Sequence, residues 1–196
     1  MAISFIGSST DAEISGGNAI LLLPAMEQND LVIVAYAIGD NDNVDFNMAM
    51  VTAGYTEIVD LFANDTQDTN LGVYWKVMGA TPDSTAETDG QGGADAAVAA
   101  VAMVFRGIDT VTPMDVAPTT ATGLDTFNPN PPSIDHLNPE GIWTVIVGAS
   151  GQTIADVKSY TFPTGYVTNS LDQGAADVNS ITVGMGYRTN PSDPED

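Results

Sequence analysis

Ser133, Asp135 and His136 are the three residue types of a nucleophilic triad, crowded into one short stretch, and His136 is the sole imidazole of the chain. A triad needs its imidazole set between hydroxyl and carboxylate by separate segments, so neighbours in sequence do not align that way. A loop histidine beside a carboxylate is the ordinary reading. Asp40, Asp42 and Asp45 offer a different chemistry, because three carboxylates in one loop could present oxygens to Ca2+, which takes about six to eight such ligands. The run Gly39–Asp45 lacks the central glycine and terminal glutamate of the helix–loop–helix calcium loop. Its ordinary reading is a solvated turn in which each Asp or Asn bonds its own backbone. Asp65 and Asp68 form a weaker pair of the same kind. Beyond this weak Ca2+ candidate, no cofactor is expected.

Tyr36, Tyr55, Tyr74, Trp75, Trp143, Tyr160, Tyr166 and Tyr187 could include a sugar-stacking platform. Most fall in apolar runs or beside Gly turns, where a core or edge role is commoner. Lys76, Arg106, Lys158 and Arg188 are the four cations, each expected to be ion-paired among so many acids. Arg106, wedged between Phe105 and Gly107, is the one expected to be partly buried and to bridge segments or subunits. No Walker-type loop, dinucleotide fingerprint, metalloprotease helix or glycosidase-like carboxylate pair stands out, and the expected function is not enzymatic.

The elements that must position these residues follow from hydrophobic pattern. Leu31–Ile38 is almost continuously apolar, which predicts a strand buried on both faces. Its sequel occurs twice: Gly54-Tyr55 and then Leu71–Met78 in one half, Gly141–Gly148 with Gly165-Tyr166 and Ile181–Arg188 in the other. An apolar run, a Gly-Tyr turn and a second apolar run cannot bury a hydrophobic side alone, so two such units are expected to pack on each other. The fold class expected is all-β, a two-sheet antiparallel sandwich of jelly-roll type built from two related halves. Ile3–Ile6, Ala19–Leu23 and Thr56–Leu61 read as further strands, Gly7–Asp11 and residues 79–93 as loops. The stretch 94–105 is ambiguous, since its alanines favour helix. Gly92-Gly93 and Gly107 bound a run of strand length in a β chain, and strand is expected. A single domain over 1–188 is expected, with an extended Pro-rich connection at 109–140 in which Pro113–Val116 adds a short edge strand, and a polar tail at 189–196.

Composition bounds the partners. The 196 residues hold 26 acids against 4 Lys and Arg, a formal net charge of -22. A field of that sign repels nucleic acid and anionic lipid, so neither is an expected partner. It also favours a saline setting that screens self-repulsion. Cysteine is absent, which excludes disulfides and thiolate metal sites. No run of about 18 apolar residues is present for a membrane span, and the N-terminus lacks a basic head and long apolar segment.

Gly54-Tyr55-Thr56, Val73–Val77, the long stretch from Ala97 to Val116 and Pro163-Thr164-Gly165-Tyr166 together resemble a known family. They look like the β-sandwich module of bacteriophage tail- and capsid-associated structural proteins, over roughly residues 3 to 188. Phe105–Val116 is the most specific part, and Arg106, Gly107, Asp109, Pro113 and Asp115 are its structural or interface residues. The likeness implies a virion structural protein on the capsid exterior, a decoration or cement subunit. Its implied partners are the major capsid protein and copies of itself, a trimer being the candidate assembly, with arms at 1–18, 109–140 and 189–196. The alternative is a tail or spike module that binds host glycans.

Overall fold

The structure, a computed structural model, describes residues 2–64, 67–91, 93, 96–123, 131–135, 143–153, 160–174 and 179–189. Ten strands are named among them, β1 (Ser4–Ile14), β2 (Ile20–Leu22), β3 (Leu31–Asp40), β4 (Thr56–Ala63), β5 (Asp68–Val77), β6 (Thr85–Glu87), β7 (Ala97–Arg106), β8 (Trp143–Thr153), β9 (Val167–Gly174) and β10 (Asn179–Thr189). They form a five-stranded sheet in the order β1-β7-β3-β5-β4, a three-stranded sheet β8-β10-β9 and a two-stranded ribbon β2-β6. All pairings are antiparallel. The all-β sandwich expected from the pattern is what the chain adopts.

Alternation across the large sheet splits its apolar residues between two cores. Leu31, Ile33, Ala35 and Ala37 of β3 pack with Ile181, Val183, Met185 and Tyr187 of β10. Val32, Val34, Tyr36 and Ile38 pack instead with Leu21 and Ala86 of the ribbon and with Met48 from the loop between β3 and β4. Hence every residue of β3 is buried, and the continuous apolar run is explained by cover on both sides. The same logic settles the alanine-rich stretch. Ala97, Ala99, Val101, Met103 and Phe105 face one core while Val98, Ala100, Ala102 and Val104 face the other. A helix would have offered one stripe to a core; a central strand between β1 and β3 buries all of it, so tertiary context overrides the propensity of alanine.

The two halves share a construction. In each, the first and third strands pair and the second lies on the far side of the third, giving β3-β5-β4 and β8-β10-β9. Both second strands follow a Gly-Tyr turn whose glycine has positive φ, +86° at Gly54 and +95° at Gly165. In both, the cation near the end of the third strand, Lys76 or Arg188, lies against that glycine. Lys76 also donates to Ala53 O (2.9 Å) and to Asp83 (2.6 Å), tying two loops to β5.

Four expectations are corrected. Residues 7–11 are not a loop, and most of the arm expected at 1–18 lies in the sheet: β1 runs from Ser4 to Ile14, hydrogen-bonded to β7 with a register shift between Phe5 and Gly7. Its Ser and Thr side chains carry no apolar signal, but a paired backbone needs none. Within the expected loop 79–93, Thr85–Glu87 forms β6 against β2. Pro113–Val116 lies in no strand. The polar β9 was hidden between a Gly-Tyr turn and the third strand of its half. The tail beyond Thr189 falls outside the described residues.

The loop at 41–55 is held down by side chains of three strands. The Tyr36 hydroxyl accepts from Ala49 N (2.6 Å) and donates to Ala49 O (2.8 Å). Asn70 accepts from Phe46 N (2.9 Å) and donates to Val44 O (3.1 Å), and Asp60 accepts from Met48 N (3.2 Å). Tyr36→Phe is expected to cost about 1–3 kcal/mol by leaving both Ala49 groups without their partner. Denaturant unfolding reads the loss, and faster amide exchange confined to residues 47–50 locates it.

Burial pushes the Asp60 carboxyl up; the Met48 N–H pulls it back, and Glu57 and Asp45 nearby add to the rise. A carboxyl raised above its unfolded value costs stability at pH above the folded value, and the cost fades as pH falls below it. Asp60→Asn keeps an oxygen for Met48 N and is expected to raise Tm at pH 7 by a few degrees, with the gain gone by about pH 3. An unchanged or lower Tm at neutral pH would contradict that sign.

Candidate interaction site at the root of the arm

The large sheet ends, at one corner, in an ion pair that follows from strand register. Leu31 of β3 pairs with Phe105 of β7, so the next residues outward, Asp30 and Arg106, meet. Arg106 Nε and Nη2 each donate to one oxygen of Asp30, both at 2.8 Å, a bidentate fork. Arg106 Nη1 adds Glu27 at 3.0 Å. The turn Glu27–Asp30 is shaped for this by Asn29 at φ +74° and by Glu27 N donating to Asp30 Oδ2 (2.7 Å). The Asp30 backbone continues toward β5, its carbonyl accepting from Met78 N (2.7 Å).

Asp30 is fully buried while the Arg106 side chain keeps 35% exposure, so the pair is a buried acid capped by a half-exposed cation. The Arg106 hydrogen bonds hold the Asp30 carboxyl below the usual range against the opposing effect of burial, and the Glu27 N–H assists. The same pairing raises Arg106 further above neutrality.

Immediately beyond, Gly107 takes φ +85°, and a methyl placed on it would lie 2.5 Å from the Ala2 carbonyl oxygen. Ile108 packs on the core between the sheets. Asp109 then accepts from Val111 N (2.8 Å), Thr112 N (3.3 Å) and Thr112 Oγ1 (3.0 Å), closing a tight turn. These bonds hold its carboxyl below the usual range. Thus Arg106, Gly107 and Asp109, three of the residues singled out in sequence, have distinct tasks at one corner: pairing, turning and capping.

From there the chain enters the segment expected as an arm. Val111 is 85% exposed and Met114 38%, while Pro113, Asp115 and Val116 are half-buried. Residues 117–123 and 131–133 are exposed and in no strand, and Thr119 Oγ1 donates to Pro132 O (3.1 Å).

The other sequence candidates are placed elsewhere. Asp40, buried at the end of β3, accepts from Asp42 N (3.2 Å), whereas Asp42 and Asp45 are exposed in the following loop. Asp68, buried, is the register partner of Asp40, and Asp65 lies outside the described residues. Among the described residues no three His, Asp or Glu side chains come together to hold a metal ion. Ser133 and Asp135 are exposed, and His136 and Lys158 lie outside the described residues.

The aromatic set goes largely inward. Tyr36 and Tyr74 stack beneath the loop at 41–55, and Trp143 stacks on Tyr187 with centroids 4.9 Å apart. Phe105 meets both Trp143 and Tyr187 edge-on. Tyr160 donates to Thr182 O (2.8 Å) and, with Phe162, occupies the space left by Gly184 and Gly186 on the outer face of β10. Tyr55, Trp75 and Tyr166 are half-buried, so none of the eight is fully presented to solvent.

Sequence reasoning missed Asp30 and Ala2. Nothing local pairs Asp30 with a residue 76 positions away, and only the register of β3 with β7 could have found it. No family model matches the chain, and neither a curated protein nor a solved structure matches it.

Proposed function

We propose that this is a non-enzymatic virion structural protein, a decoration or cement subunit on the outside of a phage head that clamps neighbouring subunits. The observation that carries this reading is the arm. An exposed segment with Val111 and Met114 at its surface leaves a sandwich corner made stiff by the Asp30–Arg106 fork, the Gly107 turn and the Asp109 cap. A rigid root lets an extended segment reach a neighbour without first losing the freedom of its base, and many copies share the work across a lattice. The major capsid protein and further copies of this chain are the partners this reading implies, with a trimer as the assembly that fits three-fold positions. The net charge of -22 sets the sign of the contact, which favours basic or uncharged surfaces.

Cryo-EM of purified virions tests it. Density spread over the capsid lattice is the expected result; density confined to the tail would instead favour host-glycan recognition. Heads lacking the protein are expected to lose DNA at lower temperature than intact heads, and equal retention would count against cementing.

A further inference from the structure

The sandwich is five strands over three, and the short sheet ends early on one side. β8 lies across from β3 and β5, while β4 continues the large sheet one strand further. Among the described residues no strand lies beside β8 beneath β4. Val59 and Leu61 of β4, Trp75 of β5 and Val145 and Val147 of β8 are half-buried along this opening.

Edges of sheets are ordinarily guarded by charge, proline or a bulge. β1 carries Asp11, Glu13 and a register shift, β4 carries Glu57, Asp60 and a register shift, and β9 carries Asp172. β8, Trp-Thr-Val-Ile-Val-Gly-Ala-Ser-Gly-Gln-Thr, has no charge and no proline, and its register with β10 runs unbroken. In a chain of net charge -22, eleven such residues on an edge are an exception. The direction of its outward backbone groups can be read from one bond. Gly151 N donates to Thr69 Oγ1 (2.6 Å) in the facing sheet, which directs this N–H away from β10. In the alternating antiparallel pattern, Val145, Val147 and Ala149 then turn their N–H and C=O away from β10 as well.

The arm supplies a matching strand. Val116-Ala117-Pro118-Thr119-Thr120-Ala121-Thr122-Gly123 is uncharged, and it is exposed from Ala117 onward. An incoming carboxylate would be repelled by the acidic surface around the opening, which an uncharged segment avoids. A single extended segment can add to β8 as an edge strand through backbone bonds, and the stretch from Ala117 to Gly123 is exposed and in no strand. Pro118 is tolerated with its ring on the outer side of an added edge strand.

We propose that β8 is a strand-acceptor edge and that it takes the arm segment Val116–Gly123 of a second copy of this chain, in head-to-tail exchange. The contact names how copies hold one another in the cement reading, and rests on that reading for its purpose. A head-to-tail contact closes into a ring when its rotation allows, which suits a trimer. Because each copy is strongly acidic, association strengthens as salt screens repulsion.

Light scattering after size exclusion at about 0.5 M NaCl tests the contact. The wild-type chain of 20.4 kDa is expected to run as a multiple of that mass and to fall toward monomer at low salt. Val147→Pro removes one outward N–H and spares the β10 ladder; deletion of residues 116–123 removes the donor. Each variant alone is expected to be monomeric, and an equal mixture to restore a dimer, since one retains the arm and the other retains the edge. Should circular dichroism show Val147→Pro unfolded, Ala149→Pro, which has the same outward N–H, takes its place. A monomeric wild type, oligomers that survive the deletion, or a mixture of folded variants that stays monomeric would overturn the exchange. Monomers in solution together with copies spread over the head would sink the exchange and leave the cement reading. Oligomers in solution with density only at the tail would do the reverse.

Discussion

Arg106→Ala is expected to lower Tm at pH 7 by on the order of 10 °C. Asp30 is fully buried and receives both fork bonds of Arg106 at 2.8 Å, so removing the cation leaves a carboxylate in the protein without its counter-charge. The reverse change is milder. Asp30→Asn leaves Arg106 able to reach Glu27 and water, because its side chain is 35% exposed. The pH dependence discriminates this account from lost packing. The Asp30 carboxyl is held low in the folded protein, so its contribution is present above the unfolded value of about 3.9 and is lost as pH falls through the folded one. Arg106→Ala should therefore differ most from wild type at neutral pH and converge with it in strong acid. A deficit that stays constant down to about pH 2 would assign the effect to packing alone.

Gly107→Ala is expected to have the second largest effect, a fall in Tm of roughly 5 °C. Two costs add. A side chain at φ +85° is strained whatever the space around it, and the new methyl would stand 2.5 Å from the Ala2 carbonyl oxygen, which is backbone and must move. The displaced segment leads into β1, whose Ser4 pairs with Arg106 itself. Amide exchange should accordingly quicken at residues 3–6 and at the base of the arm while β3 and β5 stay protected. Exchange that rises evenly over the large sheet would contradict a local cause. If the arm acts as proposed, this variant also weakens self-association, since the segment no longer leaves the sandwich at a fixed angle.

Parts of this fold were legible because burial leaves a mark on composition. β3 reads as a strand covered on both faces since all ten of its positions are buried, and the Gly-Tyr turns announce themselves because Gly54 and Gly165 need positive φ. The recurrence of run, turn and run was likewise visible, and the two halves share one strand order. Illegible parts have the opposite character. The part of β1 beyond Ile6, and β6 and β9, gain their strand state from backbone hydrogen bonds to distant partners, and their largely polar side chains say little of that. Of the candidate site, Arg106, Gly107 and Asp109 stood out by type and neighbourhood, but Asp30 and Ala2 did not.

The sequence by itself determined the all-β class, the paired halves, the acidic surface and the exclusion of thiol chemistry, each a property of residue types and short spacings. Only the tertiary structure decided that the alanine-rich stretch is a central strand, that the carboxylates weighed for Ca2+ are split between a buried strand end and an exposed turn, and that among the described strands the uncharged β8 stands at the end of its sheet. The physical reason is common to all three. Strand pairing joins residues many positions apart, and the energy that selects a register is shared over two whole strands, so no local window contains it.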